Sequence, residues 1–128
     1  MSDYDYFYSL YFKTGKLELI KSIEQKISPT DAYNFYKRNL KQWLEDNDQS
    51  YDTDGAIFAI DQDRCDVVEF MFKDGIDIDN DNIIEMAIDF MISDKGECKN
   101  FYQFLLDNNI GKNKINKAKK EMKLVNWY

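Results

Sequence analysis

Histidine is missing altogether, and with it go the commonest general base, the commonest zinc ligand and every Ser-His or Cys-His catalytic arrangement. The two cysteines, Cys65 and Cys98, are too few for a disulfide scaffold and too far apart for a CxxC motif. Each borders an apolar stretch, so both are read as reduced thiols that pack as small core residues. No apolar run approaches the roughly 18 residues that a membrane-spanning helix needs. The opening MSDYDYFYSLYFKTGK has neither the basic start nor the apolar stretch of a signal peptide, which makes the cytoplasm the expected location. A glycine-rich phosphate loop is also missing, since Gly15-Lys16 is an isolated dipeptide without Walker spacing.

Present in quantity are aromatic and acidic residues. The chain has 128 residues, 44% of them hydrophobic and 16% aromatic, a mix that excludes disorder and suits one compact domain. It carries 24 acidic against 17 basic side chains, for a formal charge of −7.

Apolar residues recur at three- and four-residue spacing, as in Leu17, Ile20, Ile23 and Ile27, or Phe101, Phe104 and Leu105, which is the helical period. The pattern predicts an all-α chain with helices near 4–12, 17–26, 30–46, 55–62, 66–74, 81–93, 98–108 and 112–124. Ser28-Pro29-Thr30-Asp31 marks a helix start, with Ser28 or Thr30 as cap and the only proline near the first turn, where its missing N–H is harmless. Glu45-Asp46-Asn47-Asp48 sets negative charge at the C-terminus of that helix, which predicts fraying there. The aromatic residues Tyr4, Tyr6, Phe7, Tyr8, Tyr11 and Phe12 cover every side of the first helix, so some rings must face outward.

Three segments repeat: Gly15–Ile27, Asp66–Ile76 and Asn100–Ile110. The last two are in register at an offset of 34, with Gly75 on Asn109 and Phe70 on Phe104. Gly and Asn are the residues that best tolerate the left-handed conformation closing a helix. The stretch Asp66-Val67-Val68-Glu69-Phe70-Met71-Phe72-Lys73-Asp74-Gly75-Ile76-Asp77-Ile78-Asp79 resembles the second helix and following loop of an ankyrin unit, and Asp54-Gly55-Ala56-Ile57-Phe58-Ala59-Ile60 resembles the first helix. The family's Thr-Pro-Leu-His is absent, and the step from Gly15 to Asp63 is longer than the repeat period. The resemblance implies stacked antiparallel helix pairs with degenerate units at about 54–79 and 81–111, looser N-terminal helices over 4–46 and a basic C-terminal helix over 112–124. An irregular helical bundle is the alternative.

Asp77-Ile-Asp79-Asn-Asp81 looks like the opening of a calcium loop, but its sixth position is Asn82 rather than Gly and its twelfth is Ile88 rather than Glu. The duller reading is an inter-repeat loop whose acidic residues cap the next helix. Asp61, Asp63, Asp66 and Glu69 form no pattern that singles out a carboxylate pair for catalysis. Neither an enzyme, nor a metal site, nor a cofactor is expected.

Charge is segregated. From Glu45 to Asp94 there are 16 acidic residues against Arg64 and Lys73, and from Lys112 to Tyr128 six lysines against one glutamate. Two readings remain open: a solvated acidic face paired with the lysine-rich helix, or an acidic face that attracts a basic partner. Direct nucleic-acid binding by Lys112, Lys114, Lys117, Lys119, Lys120 and Lys123 is disfavoured by the neighbouring negative field. In size, acidity and aromatic content the chain resembles, in kind rather than by motif, the small immunity proteins that protect bacteria from delivered toxins, many of them nucleases. That resemblance implies a non-catalytic inhibitor with a basic protein partner; a phage-encoded inhibitor of a host nuclease defence and a general ankyrin-like adaptor are the alternatives. The expected contact residues are Asp52, Asp54, Asp61, Asp63, Asp77, Asp79 and Asp81, with Tyr51 as aromatic anchor and Trp127 and Tyr128 as a second contact.

Overall fold

The computed structural model describes residues 3–125, and among them every regular element is helical. The helices are α1 (Asp3–Thr14), α2 (Glu18–Glu24), α3 (Pro29–Asp46), α4 (Thr53–Asp61), α5 (Cys65–Lys73), α6 (Asp81–Ser93), α7 (Phe101–Asp107) and α8 (Lys112–Val125), with a 3-10 turn over Glu97–Asn100 leading into α7. Each matches one expected from periodicity, with boundaries shifted by a few residues. Among the described residues no helix is long and apolar enough to cross a membrane.

The chain divides into two compact units, Met1–Tyr51 and Asp52–Tyr128. In the first, α1 packs against α2 and α3. Tyr8, Tyr11 and Phe12 of α1 meet Ile20 and Ile23 of α2 and Tyr36, Leu40 and Leu44 of α3 as a buried core, the last three spaced by one turn. Phe12 and Tyr36 stand edge to face at 4.9 Å between ring centroids, and the hydroxyls of Tyr11 and Tyr36 share a buried hydrogen bond of 3.2 Å. Other rings of α1 do point outward, Tyr6 most of all at 54% exposure, with Tyr4 and Phe7.

Ser28 is the cap of α3, its Oγ accepting from the Asp31 N–H at 3.1 Å with Pro29 in the first turn. At the other end α3 stops at Asp46, where the sequence pattern ended it. There Gln42 donates to the Asp46 carboxylate at 2.8 Å, and Asn47 donates its side-chain amide to the Trp43 carbonyl at 2.7 Å. Asp48 then turns left-handed at φ 58°, and the Gln49 N–H returns to the Leu44 carbonyl at 2.8 Å.

In the second unit α4 packs on α5 and α6, and α6 on α7 and α8. Small buried residues, Gly55, Ala56 and Ala59 on α4 and Ala87 on α6, let those helices approach closely around Ile60, Met71, Ile83 and Leu105. Ile115 and Ala118 turn one face of α8 inward. Three helices end in the same way. Asp63, Gly75 and Asn109 are left-handed at φ 60°, 98° and 58°, and the following N–H returns to the carbonyl five residues back at 2.9, 2.9 and 2.8 Å. Gly75 and Asn109 thus occupy equivalent places, as their register in sequence implies.

Candidate protein-binding surface

The expected contact aspartates of the second unit fall into two groups at opposite ends of α4, about 13 Å apart at the helical rise per residue. At its N-terminal end Thr53 Oγ1 donates to the Asp77 carbonyl at 2.7 Å, which brings Asp52 and Asp54 beside the linker that carries Asp77, Asp79 and Asp81. At the other end lie Asp61 and Asp63.

All five carboxylates of the first group are exposed, and local chemistry explains where each one points. Asp52 is the cap of α4, its carboxylate accepting from the Gly55 N–H at 3.0 Å on extended backbone. Asp54 sits in the first turn of α4, where the helix dipole favours a negative charge. Asp77 bends its carboxylate onto the Asp79 N–H at 2.9 Å, an Asx turn. The cap of α6 is Asn80, whose Oδ1 accepts from Asn82 and Ile83 at 2.9 and 3.3 Å. This corrects the expectation that the acidic residues cap that helix: Asn80, not an aspartate, stands where the backbone is extended just before the first turn. Asp54 and Asp79 make no side-chain hydrogen bond or ion pair with another described residue.

Asp81 is the point where the basic helix meets this group. Lys114 of α8 donates to its carboxylate at 3.0 Å, although the Asp81 side chain remains 80% exposed. The hydrogen bond to Asp81, with further attraction from Glu85, raises the Lys114 ammonium above its ordinary value. The lysine-rich helix therefore reaches the acidic end with one side chain. Another of its lysines, Lys119, lies over the Tyr102 ring at 5.6 Å.

The other group is built differently. Asp61 is exposed as the last residue of α4, whereas Asp63 is half-buried and its carboxylate accepts from the backbone N–H groups of Glu97 and Cys98 at 2.8 and 2.9 Å. Asp63 spends both oxygens on the fold.

Tyr51 belongs to the first unit. Its half-buried ring is approached by Lys37 at 5.5 Å and Lys41 at 5.2 Å, so two cations of α3 hold it. Sequence reading missed this cluster, although the spacing of Lys37 and Lys41 by one turn was a usable signal. The same helix edge lines an open groove of about 480 Å³ with Lys37, Arg38, Lys41, Asn34, Gln42 and Glu45. Trp127 and Tyr128 lie outside the described residues. Among the described residues no group of three His, Cys, Asp or Glu side chains gathers to hold a metal ion.

No protein-family model, no curated protein and no solved structure matches the chain.

Proposed function

We propose that this chain is a non-catalytic inhibitor that binds a basic protein, specifically an immunity protein that neutralises a nuclease-type bacterial toxin in the cytoplasm by covering it with an acidic face. One observation carries the reading: Asp52, Asp54, Asp77, Asp79 and Asp81 are all exposed at one end of the second unit, with a lysine at hydrogen-bond distance from Asp81. Carboxylates concentrated in this way accelerate encounter with a positive surface and oppose wrong partners. A protein that handles nucleic acid presents such a surface to phosphates, and the aspartates offer it negative oxygens instead.

We further read the second unit as degenerate ankyrin-like stacking. In support, α4 and α6 start at the same end, α8 is tied to the start of α6 through Lys114, and Gly75 and Asn109 close α5 and α7 alike. In this reading the acidic group lies on the helix tips and loops that such repeats use for binding.

The test is capture of partners from the host lysate at low and at high salt, followed by assay of any captured basic protein for nuclease activity. The expected result is one basic nuclease, released by salt and silenced at equimolar inhibitor. The variant Asp54→Lys/Asp79→Lys weakens the complex by about 2–5 kcal/mol for each carboxylate that is paired and desolvated in it. Asp61→Lys, at the far end of α4, leaves the affinity within a few-fold. A captured protein whose activity is unchanged when bound, or a double variant that binds as well as the parent, overturns the reading.

A further inference from the structure

Cys65 and Cys98 are 33 positions apart in sequence and adjacent in space. Cys65 opens α5 and is half-buried; Cys98 is fully buried in the 3-10 turn before α7. The Cys65 thiol donates to the carbonyl of Glu97, the residue next to Cys98, at 3.5 Å, which sets the two cysteines side by side. Asp63 holds the same turn in place through the Glu97 and Cys98 amides. A partly accessible thiol at a helix start, backed by a buried second thiol, is the arrangement in which an oxidised first sulfur is resolved as a disulfide rather than oxidised further.

We propose that Cys65 and Cys98 form a reversible oxidative modification site, at which a hydroperoxide converts the thiol pair into an intramolecular disulfide joining the start of α5 to the turn before α7. The Cys65 thiolate attacks the terminal peroxide oxygen, so that an S–O bond forms and the O–O bond breaks. The departing oxygen leaves as water or an alcohol after taking a proton. Cys98 then gives up its proton and attacks the Cys65 sulfur, so that the S–S bond forms, the S–O bond breaks and the hydroxyl leaves as water. The two thiols lose two electrons and the peroxide gains them; a dithiol reverses the change.

The electrostatics support this order of events. The neighbouring Cys98 thiol lowers the Cys65 thiol below its ordinary value, against the opposing effects of burial and of the carboxylates of Asp66, Glu69 and Asp63. The neighbouring Cys65 thiol, with burial, raises Cys98. Because Cys65 is half-buried and Cys98 fully buried, the peroxide reaches Cys65, which makes it the attacking sulfur and Cys98 the resolving one.

The experiment treats the full chain with hydrogen peroxide and follows intact mass, peptide mapping without reductant, and melting temperature. The expected product is a monomer lighter by two hydrogens, with peptides around Cys65 and Cys98 joined, a higher melting temperature, and full reversal by dithiothreitol. The variant Cys98→Ala removes the resolving thiol and accumulates a dimedone-reactive sulfenic acid at Cys65; circular dichroism of this variant establishes that it is folded. If Cys98→Ala loses its helical signal, Cys65→Ser replaces it, and peroxide then leaves Cys98 unmodified. Oxidation of wild-type Cys65 to sulfinic or sulfonic acid without the cross-link, or a disulfide only between two chains, overturns the proposal. None of these readouts depends on the partner proposed above.

Discussion

The Asp63 carboxylate accepts the backbone N–H of Cys98 at 2.9 Å, across 35 residues of chain. With the Glu97 N–H at 2.8 Å on its other oxygen, this one side chain ties the end of α4 to the turn that follows α6. Gly96 is part of the same arrangement, because a Cβ there would meet the Asp63 oxygens at 2.9 Å. Hydrogen bonds to a charged group are each worth about 1.5–3 kcal/mol, so Asp63→Gly, which removes both bonds and relieves about 1 kcal/mol of left-handed strain, is expected to cost roughly 2–5 kcal/mol by urea denaturation. Asp63→Asn keeps one acceptor oxygen and is expected to cost less. Equal stability of all three proteins would show that the interaction contributes nothing.

Glycine at 111 and glycine at 75 share a positive φ but differ in surroundings. A Cβ on Gly111 would lie 2.8 Å from Ile84 Cγ2, while one on Gly75 meets nothing within 4 Å. Gly75→Ala is expected to cost about 1 kcal/mol from backbone strain alone, and Gly111→Ala about 1–3 kcal/mol more because buried Ile84 must shift. Gly75→Asn, which copies the residue found at the equivalent position 109, is expected to lie closest to the parent. Thermal denaturation of the three variants under one buffer ranks them.

Tyr8 predicts a limit of stability in alkali. Burial first, and then the Glu24 carboxylate that its hydroxyl approaches at 3.5 Å, raise the phenol well above its ordinary value of 10.0. The folded state therefore holds this proton more tightly than the unfolded chain. The stability it contributes is complete below pH 10, and it is lost as pH rises from there through the higher folded value. Tyr8→Phe is expected to flatten the decline of melting temperature in that range, which a pH series of thermal melts checks.

Glu69 behaves in the same sense at lower pH. Its carboxyl on α5 is raised above 4.5, first by burial and then by Asp66, with Lys73 acting against both. The folded state binds the proton more strongly, so stability falls as pH climbs from about 4.5 through the folded value. Glu69→Gln is expected to raise the melting temperature slightly at pH 7 and to have no effect below pH 4. A loss of stability at pH 7 would show that the Lys73 attraction outweighs burial.

The helices were legible because their causes are local. The period of three and four in α3, Ser28 and Pro29 at its start, and the left-handed closure at Gly75 and Asn109 each depend on residues within a turn or two of one another. The same closure at Asp48 and Asp63 was illegible, since aspartate tolerates left-handed backbone but is so frequent in this stretch that its presence marks no single position; at Asp63 its carboxylate is held by amides 34 and 35 positions away. Likewise the acidic motif at 77–81 was visible, but the assignment of the α6 cap to Asn80 rather than to its acidic neighbours required the backbone angles.

Composition and periodicity by themselves determined an all-helical chain with a dense acidic stretch, because helix formation and charge follow from residue type and near-neighbour spacing. Tertiary structure alone decided which of those charges stand together. Thr53 bonding to the Asp77 carbonyl gathers Asp52, Asp54, Asp77, Asp79 and Asp81 at one end of the second unit, while Asp63 turns its carboxylate onto the backbone and Tyr51 lies between Lys37 and Lys41. Those pairings join residues 10 to 34 positions apart, and packing between helices sets them rather than any preference written along one helix.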